Sequence, residues 1–173
     1  CCALAAPGLA QAARVQIDQL NYLGSRAKET VEVTLDRPAV QLVAKLTTLD
    51  SKEQNRFREL AARIQGIYVR GYEFENEGEY SASDVESLRG QLRAPLWQRL
   101  ALVRDRNGES NEVYFVARND QMEGLTVISA EPRRLCVANL VGQLNLEDFN
   151  LLEREFGFTN CGKNRTRHTV RTR

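Results

Sequence analysis

Five carboxylates, Glu73, Glu75, Glu77, Glu79 and Asp84, crowd into one short stretch of a 173-residue chain that holds a single histidine. Acid–base catalysis by such a group needs two carboxyls whose environments push their pKa values apart inside a cleft. The same oxygens suit a hard cation, although their spacing is not that of an EF-hand loop. A solvated acidic turn is the expectation, and a hydrolase-like or cation-dependent enzyme using Glu73 to Asp84 is the alternative. The lone His168 lies in a basic tail, so no His-based triad or His-rich metal site can be built in the body. Ser129 lacks the Gly-x-Ser-x-Gly elbow, and no phosphate-cradling glycine motif is present. The sequence therefore assigns no catalytic residue, no metal and no cofactor.

Two polar residues stand in apolar surroundings. Asn139 alternates with Val137 and Val141, and an amide there must be hydrogen-bonded or functional. Arg70 lies between Tyr68 and Tyr72, with Phe74 next on the same side of a strand. An arginine so flanked clamps an anion or lies across a sheet face with cation–π contact. If helices cover one face of the sheet, Tyr68, Arg70, Tyr72 and Phe74 on the other are the first candidate for a recognition surface.

The elements that position these residues follow from periodicity. "VEVTL" (31–35) alternates as a half-buried strand. Asp36 then caps a helix with Pro38 in its first turn and Val40, Val43 and Leu46 at helical spacing. Ser51 and Gln54 form a capping box for a second helix with Phe57, Leu60 and Ile64, closed by Gly66. "IYVRGYEF" is β-branched and aromatic, hence a strand. After the acidic turn, Ser83 and Glu86 form a further capping box for a helix carrying Val85, Leu88 and Leu92, stopped by Pro95. Beyond Trp97, "RLALV", "EVYFVA", "GLTVISA" and "LCVANLVG" are joined by links short enough to permit only antiparallel neighbours. Asn145 caps a last helix with Leu146, Phe149, Leu152 and Phe156 inward. The expected fold is α+β: a two-layer, mainly antiparallel sheet of about six strands, in the order β-α-α-β-α-β-β-β-β-α, with helices on one face.

Residues 157–173 hold five of the 24 basic residues and none of the 23 acidic ones, so the rest of the chain is mildly acidic. That disfavours nucleic acid as a partner, since phosphate neutralisation needs a basic stripe. No run of eighteen apolar residues exists to span a bilayer. The opening "CCALAAPGLAQAA" is uncharged and ends in small-x-small spacing, which a signal peptidase accepts. It reads as a truncated secretory signal (1–13), with cleavage after Ala12 or Ala13, followed by a lead-in (14–27), one domain (28–157) and a basic, disordered tail (158–173). A lipid anchor through Cys1 or Cys2 is the alternative. Removing the leader leaves Cys136 and Cys161, too few for a disulfide framework. Two unpaired thiols are expected, with a Cys136–Cys161 bridge as the alternative in an oxidising compartment.

Across residues 28 to 157 the chain resembles the bacterial domain of unknown function family 4252. The resemblance rests on Gly66-Ile67, Tyr72-Glu73-Phe74, Trp97, Gly124-Leu125, Glu131-Pro132, Asn139 and Gly142. It implies export and supports the α+β order, but it brings no catalytic motif and no functional residues to transfer. The expectation is an exported, periplasmic or extracellular protein, non-enzymatic, that binds another envelope protein or an envelope ligand through its exposed sheet face.

Overall fold

The computed structural model describes residues 12–46, 51–119, 121–145 and 147–148. A 3-10 helix, Asp18–Ser25, precedes β1 (Glu29–Asp36), α1 (Arg37–Leu46), α2 (Ser51–Arg63), β2 (Ile64–Glu73), α3 (Ala82–Gln91), β3 (Gln98–Arg104), β4 (Ser110–Arg118), β5 (Gln121–Glu131) and β6 (Arg134–Leu144). The strands form one antiparallel sheet in the order β1-β2-β6-β5-β4-β3. The α+β class, the six antiparallel strands and the element order are those the periodicity predicts. No helix among the described residues is long and apolar enough to cross a membrane.

Local chemistry starts the helices. Asp36 Oδ1 accepts from the Ala39 backbone N–H at 3.0 Å, as its capping role requires. The cap of α3 is Ser81 rather than Ser83. The Asp84 carboxylate accepts from the Ser81 backbone N–H at 2.7 Å and from its hydroxyl at 2.8 Å. The Ser-x-x-acid pattern occurs twice here, two residues apart, and a hydrogen bond from Tyr22 to Asp84 selects the earlier copy. At the far end, Asn145 and Asp148 cap each other's backbone N–H at 2.8 Å, so the expected last helix starts where its cap predicts. The rest of that expected helix, the expected 158–173 tail and residues 1–11 of the expected leader lie outside the described residues.

The helices divide between the two faces instead of sharing one. Side chains alternate across a strand, so Leu135 and Val137 of β6 point one way and Cys136, Ala138 and Leu140 the other. On the first face, Tyr72, Phe74, Tyr114, Val116, Ile128, Leu135 and Val137 meet Val85, Leu88 and Leu92 from the α3 region, together with Ala13, Val15, Ile17, Leu20 and Leu23. On the second face, Ile67, Val69, Leu125, Cys136, Ala138 and Leu140 meet Val40 and Ala44 of α1 and Phe57, Leu60 and Ala61 of α2.

Residues 13–23 are thus a strap across the sheet, not a lead-in, and the packed unit begins about fifteen residues before Lys28. Ala13 is wholly buried. A Cβ on Gly124 would lie 2.9 Å from Ala13 Cβ, so the strap approaches β5 closely where only glycine leaves room. The alternation Ala13, Val15, Ile17 inward is a two-residue period, obscured in the sequence because it continues directly from the alanine-rich opening.

Candidate functional site

The strap determines the fate of the predicted recognition face. Arg70, Tyr72 and Phe74 are buried, at 4%, 2% and 3% exposure, and Tyr68 is half-buried. The structure does bring the four together on one face of β2, but that face is covered. Arg70 Nη2 reaches Asp18 Oδ1 at 2.8 Å and Glu32 Oε1 at 3.0 Å, its Nε donates to Asn21 Oδ1 at 3.1 Å, and Nη1 donates to Val69 O at 2.9 Å. The guanidinium is saturated by the protein itself. Tyr68 receives Arg14 over its ring, 4.5 Å from the centroid, and Tyr72 stacks on Phe74. The expectation of an exposed sheet face is therefore corrected: its aromatic–arginine pattern serves to dock the strap.

Asn139 does the same work farther along. Its Oδ1 accepts from the Val15 N–H at 3.0 Å, and its Nδ2 donates to Ala13 O at 3.1 Å and to Thr126 Oγ1 at 3.0 Å. A third link is Glu112, wholly buried on β4. It accepts from Tyr114 Oη at 2.6 Å and from Arg89 of α3, whose Nε lies 2.8 Å from Oε1. Burial by itself would raise the Glu112 pKa, but the hydrogen bonds from Arg89 and Tyr114 outweigh it and hold the carboxyl below its ordinary value.

Four of the five carboxylates in the acidic stretch have partners within the protein. Glu73 pairs with Arg134 at 2.8 Å, and that guanidinium depresses its pKa. Lys28 stands 3.7 Å from Glu75, and Asn76 donates to Glu79 at 2.9 Å. Asp84 is committed to the α3 cap and to Tyr22. Burial would raise its pKa, but hydrogen bonds from Tyr22 and Ser81 hold it low. Nearby Tyr80 donates to Glu131 O at 2.5 Å, and burial pushes its phenol up to about 12. Among the described residues, no three His, Cys, Asp or Glu side chains are grouped to hold a metal ion.

Cys136, expected as a free thiol, is disulfide-bonded. It lies at 2% exposure on the second face of the central strand β6. Its partner lies outside the described residues. Sequence reasoning preferred the free thiol because an apolar run accepts a buried cysteine as readily as a bonded one.

What remains open is an edge. β3 terminates the sheet at one end, as β1 does at the other, with β4 on one side and no strand of the described residues on its other side. Its Leu100 and Val103 are 58% and 64% exposed, between the exposed Arg99 and Arg104. A bulge between Arg99 and Ala101 turns Leu100 out of register. Neither residue was singled out from the sequence, where "RLALV" is indistinguishable from an interior strand.

Comparison with known proteins matches the model of one family, a domain of unknown function (DUF4252), to residues 22–152. No curated protein matches the chain, and no solved structure does.

Proposed function

The chain belongs to the DUF4252 family, and on that premise we propose that it is an exported, non-enzymatic binding module that engages another envelope protein through the β3 edge of its sheet. The observation that carries this reading is β3. An edge strand offers unpaired backbone donors and acceptors, and natural proteins normally hide its apolar side chains. Here Leu100 and Val103 are left in solvent. Strand addition uses such an edge, with backbone hydrogen bonds for affinity and side chains for choice.

Charge selects the occupant. An antiparallel pairing of β3 with a second copy that sets Leu100 against the copy's Val103 would also set Arg99 against its Arg104, and like charges directly opposite are destabilising. An extended segment with an apolar centre and acidic flanks fits instead. Export is supported by the bonded state of Cys136, because disulfides persist in oxidising compartments. Cleavage after Ala12 would place a new ammonium on the wholly buried Ala13, and burying an unpaired charge is costly. Gly8-Leu9-Ala10 offers the same small-x-small spacing upstream, so the mature chain begins at Gln11.

A photo-crosslinking residue placed at Leu100 or Val103 in cells should trap one envelope protein, while the same group at exposed Glu77 traps none. Equal trapping at all three positions, or none at β3, refutes the edge reading. Mass spectrometry of the exported chain should give Gln11 as its first residue, and a full-length cytoplasmic chain would refute export.

A further inference from the structure

At the end of the sheet opposite the acidic turn, three neighbouring strands lose regular pairing together. Ile64 pairs with Gly142 and Gly66 with Val141, leaving Gln65 of β2 unpaired. Met122 pairs with Leu144 and Gly124 with Val141, leaving Glu123 of β5 unpaired, and the β4–β5 ladder skips the same residue. Between them β6 carries Gly142 at φ +145°, where a Cβ would lie 2.5 Å from Arg63 O and 2.7 Å from Ile64 Cα. Bulges re-aim side chains and concentrate beside functional sites. These open a pocket of about 340 Å³ lined by Arg37, Arg63, Gln65, Glu123, Gly142 and Gln143, at the small end of the range of ligand pockets, about 300–1,000 Å³.

The polar groups in this pocket are unequally used. Arg63 is committed: Nη1 and Nη2 form a fork on Asp148 at 2.9 and 3.0 Å, and Nη1 also donates to Gln143 O. Glu123 Oε2 is buried without a hydrogen-bond partner among the described residues, a state that costs about 1–3 kcal/mol for a polar atom and more for a charged one. Arg37 is exposed and makes no ion pair among the described residues. It stands in the first turn of α1, where the helix dipole disfavours a cation, so helix formation does not ask for it. One unpartnered anion and one uncommitted cation thus line a single small cavity.

We propose that this pocket binds a small zwitterion of the amino-acid class, with its ammonium on Glu123, its carboxylate near Arg37, and Gln65 and Gln143 available to its remaining polar atoms. The site is separate from the β3 edge and needs neither export nor a protein partner. Its test is calorimetric titration of the full chain with each of the twenty free amino acids, then with the N-acetyl and C-amide derivatives of the tightest binder. At least one free amino acid should bind, and blocking either end should weaken it tenfold or more. Glu123→Gln and Arg37→Ala should each do the same, and because Arg37 is exposed its variant reads the pocket without disturbing the sheet. Binding by none of the twenty, or binding that survives the blocking groups or both substitutions, overturns the proposal.

Discussion

On the first face of the sheet, three buried polar side chains each reach a segment outside it: Arg70 to Asp18 and Asn21, Asn139 to Ala13 and Val15, and Glu112 to Arg89. On the second face, α1 and α2 settle on Ile67, Val69, Ala138 and Leu140, all apolar. The difference follows the chemistry of the covering segment. A two-helix hairpin satisfies its own backbone internally and needs only an apolar stripe to dock. A strap with an extended backbone cannot, so the sheet must supply partners for N–H and C=O groups that would otherwise be buried unpaired. Asn139 in its apolar strand thus marks where the extended part of the strap is received, whereas Arg70 and Glu112 hold side chains, Asp18 and Asn21 of the 3-10 helix and Arg89 of α3.

Breaking the Glu112 link should have the largest effect. Glu112→Ala strips a buried charge partner from Arg89 and should destabilise the protein by about 3–5 kcal/mol in urea unfolding. The double variant Glu112→Leu, Arg89→Met should recover much of that loss, and a double variant no better than the single one would mean the ion pair is not the cause. Next, Asn139→Ala leaves the Val15 N–H without its acceptor and should cost about 2–3 kcal/mol at about 1–3 kcal/mol per orphaned buried group. The test of the comparison is where protection is lost. Hydrogen exchange should speed at Val15 in Asn139→Ala but not in Leu60→Ala on the second face, although the latter costs a similar amount, about 2–5 kcal/mol. Faster exchange at Val15 in both variants would make the two faces equivalent.

The smallest effect is acid loosening. Glu112 and Asp84 both sit below their ordinary values of 4.5 and 3.8. A depressed carboxylate contributes stability that is present above its unfolded value and lost as the pH falls through the depressed folded one. Both groups tie elements to the first face, so lowering the pH from 5 toward 2 should release amides of the strap and α3 before those of α2. Loss of protection in α2 first would sink the assignment.

Much of the fold was legible in the sequence because strands and helices declare themselves by period. Asp36 and Asn145 cap helices as their positions predict, and the four runs after Trp97 are the meander they resemble. Asn139 was rightly suspected of obligatory hydrogen bonding. Its partner was not legible, since Ala13 is 126 residues away and sits in a stretch that reads as a leader. The Tyr68–Phe74 pattern likewise gives the same sequence whether the face meets solvent or the chain's own strap. Glu123 could not be found at all, because a bulge shared by three strands is a property of their register and leaves no local mark.

The sheet order carries a consequence for the time course of synthesis. β6, the last of the described strands to be made, lies between β2 and β5. Until residue 144 has been delivered, β1–β2 and β3–β4–β5 have no shared neighbour, and Asn139 is not available to hold the strap. Such non-local closure is slow to nucleate, so a partly made chain has no finished sheet to collapse into. A partly made chain thus stays open enough to be threaded through a narrow channel, and its sheet closes only once β6 has been delivered.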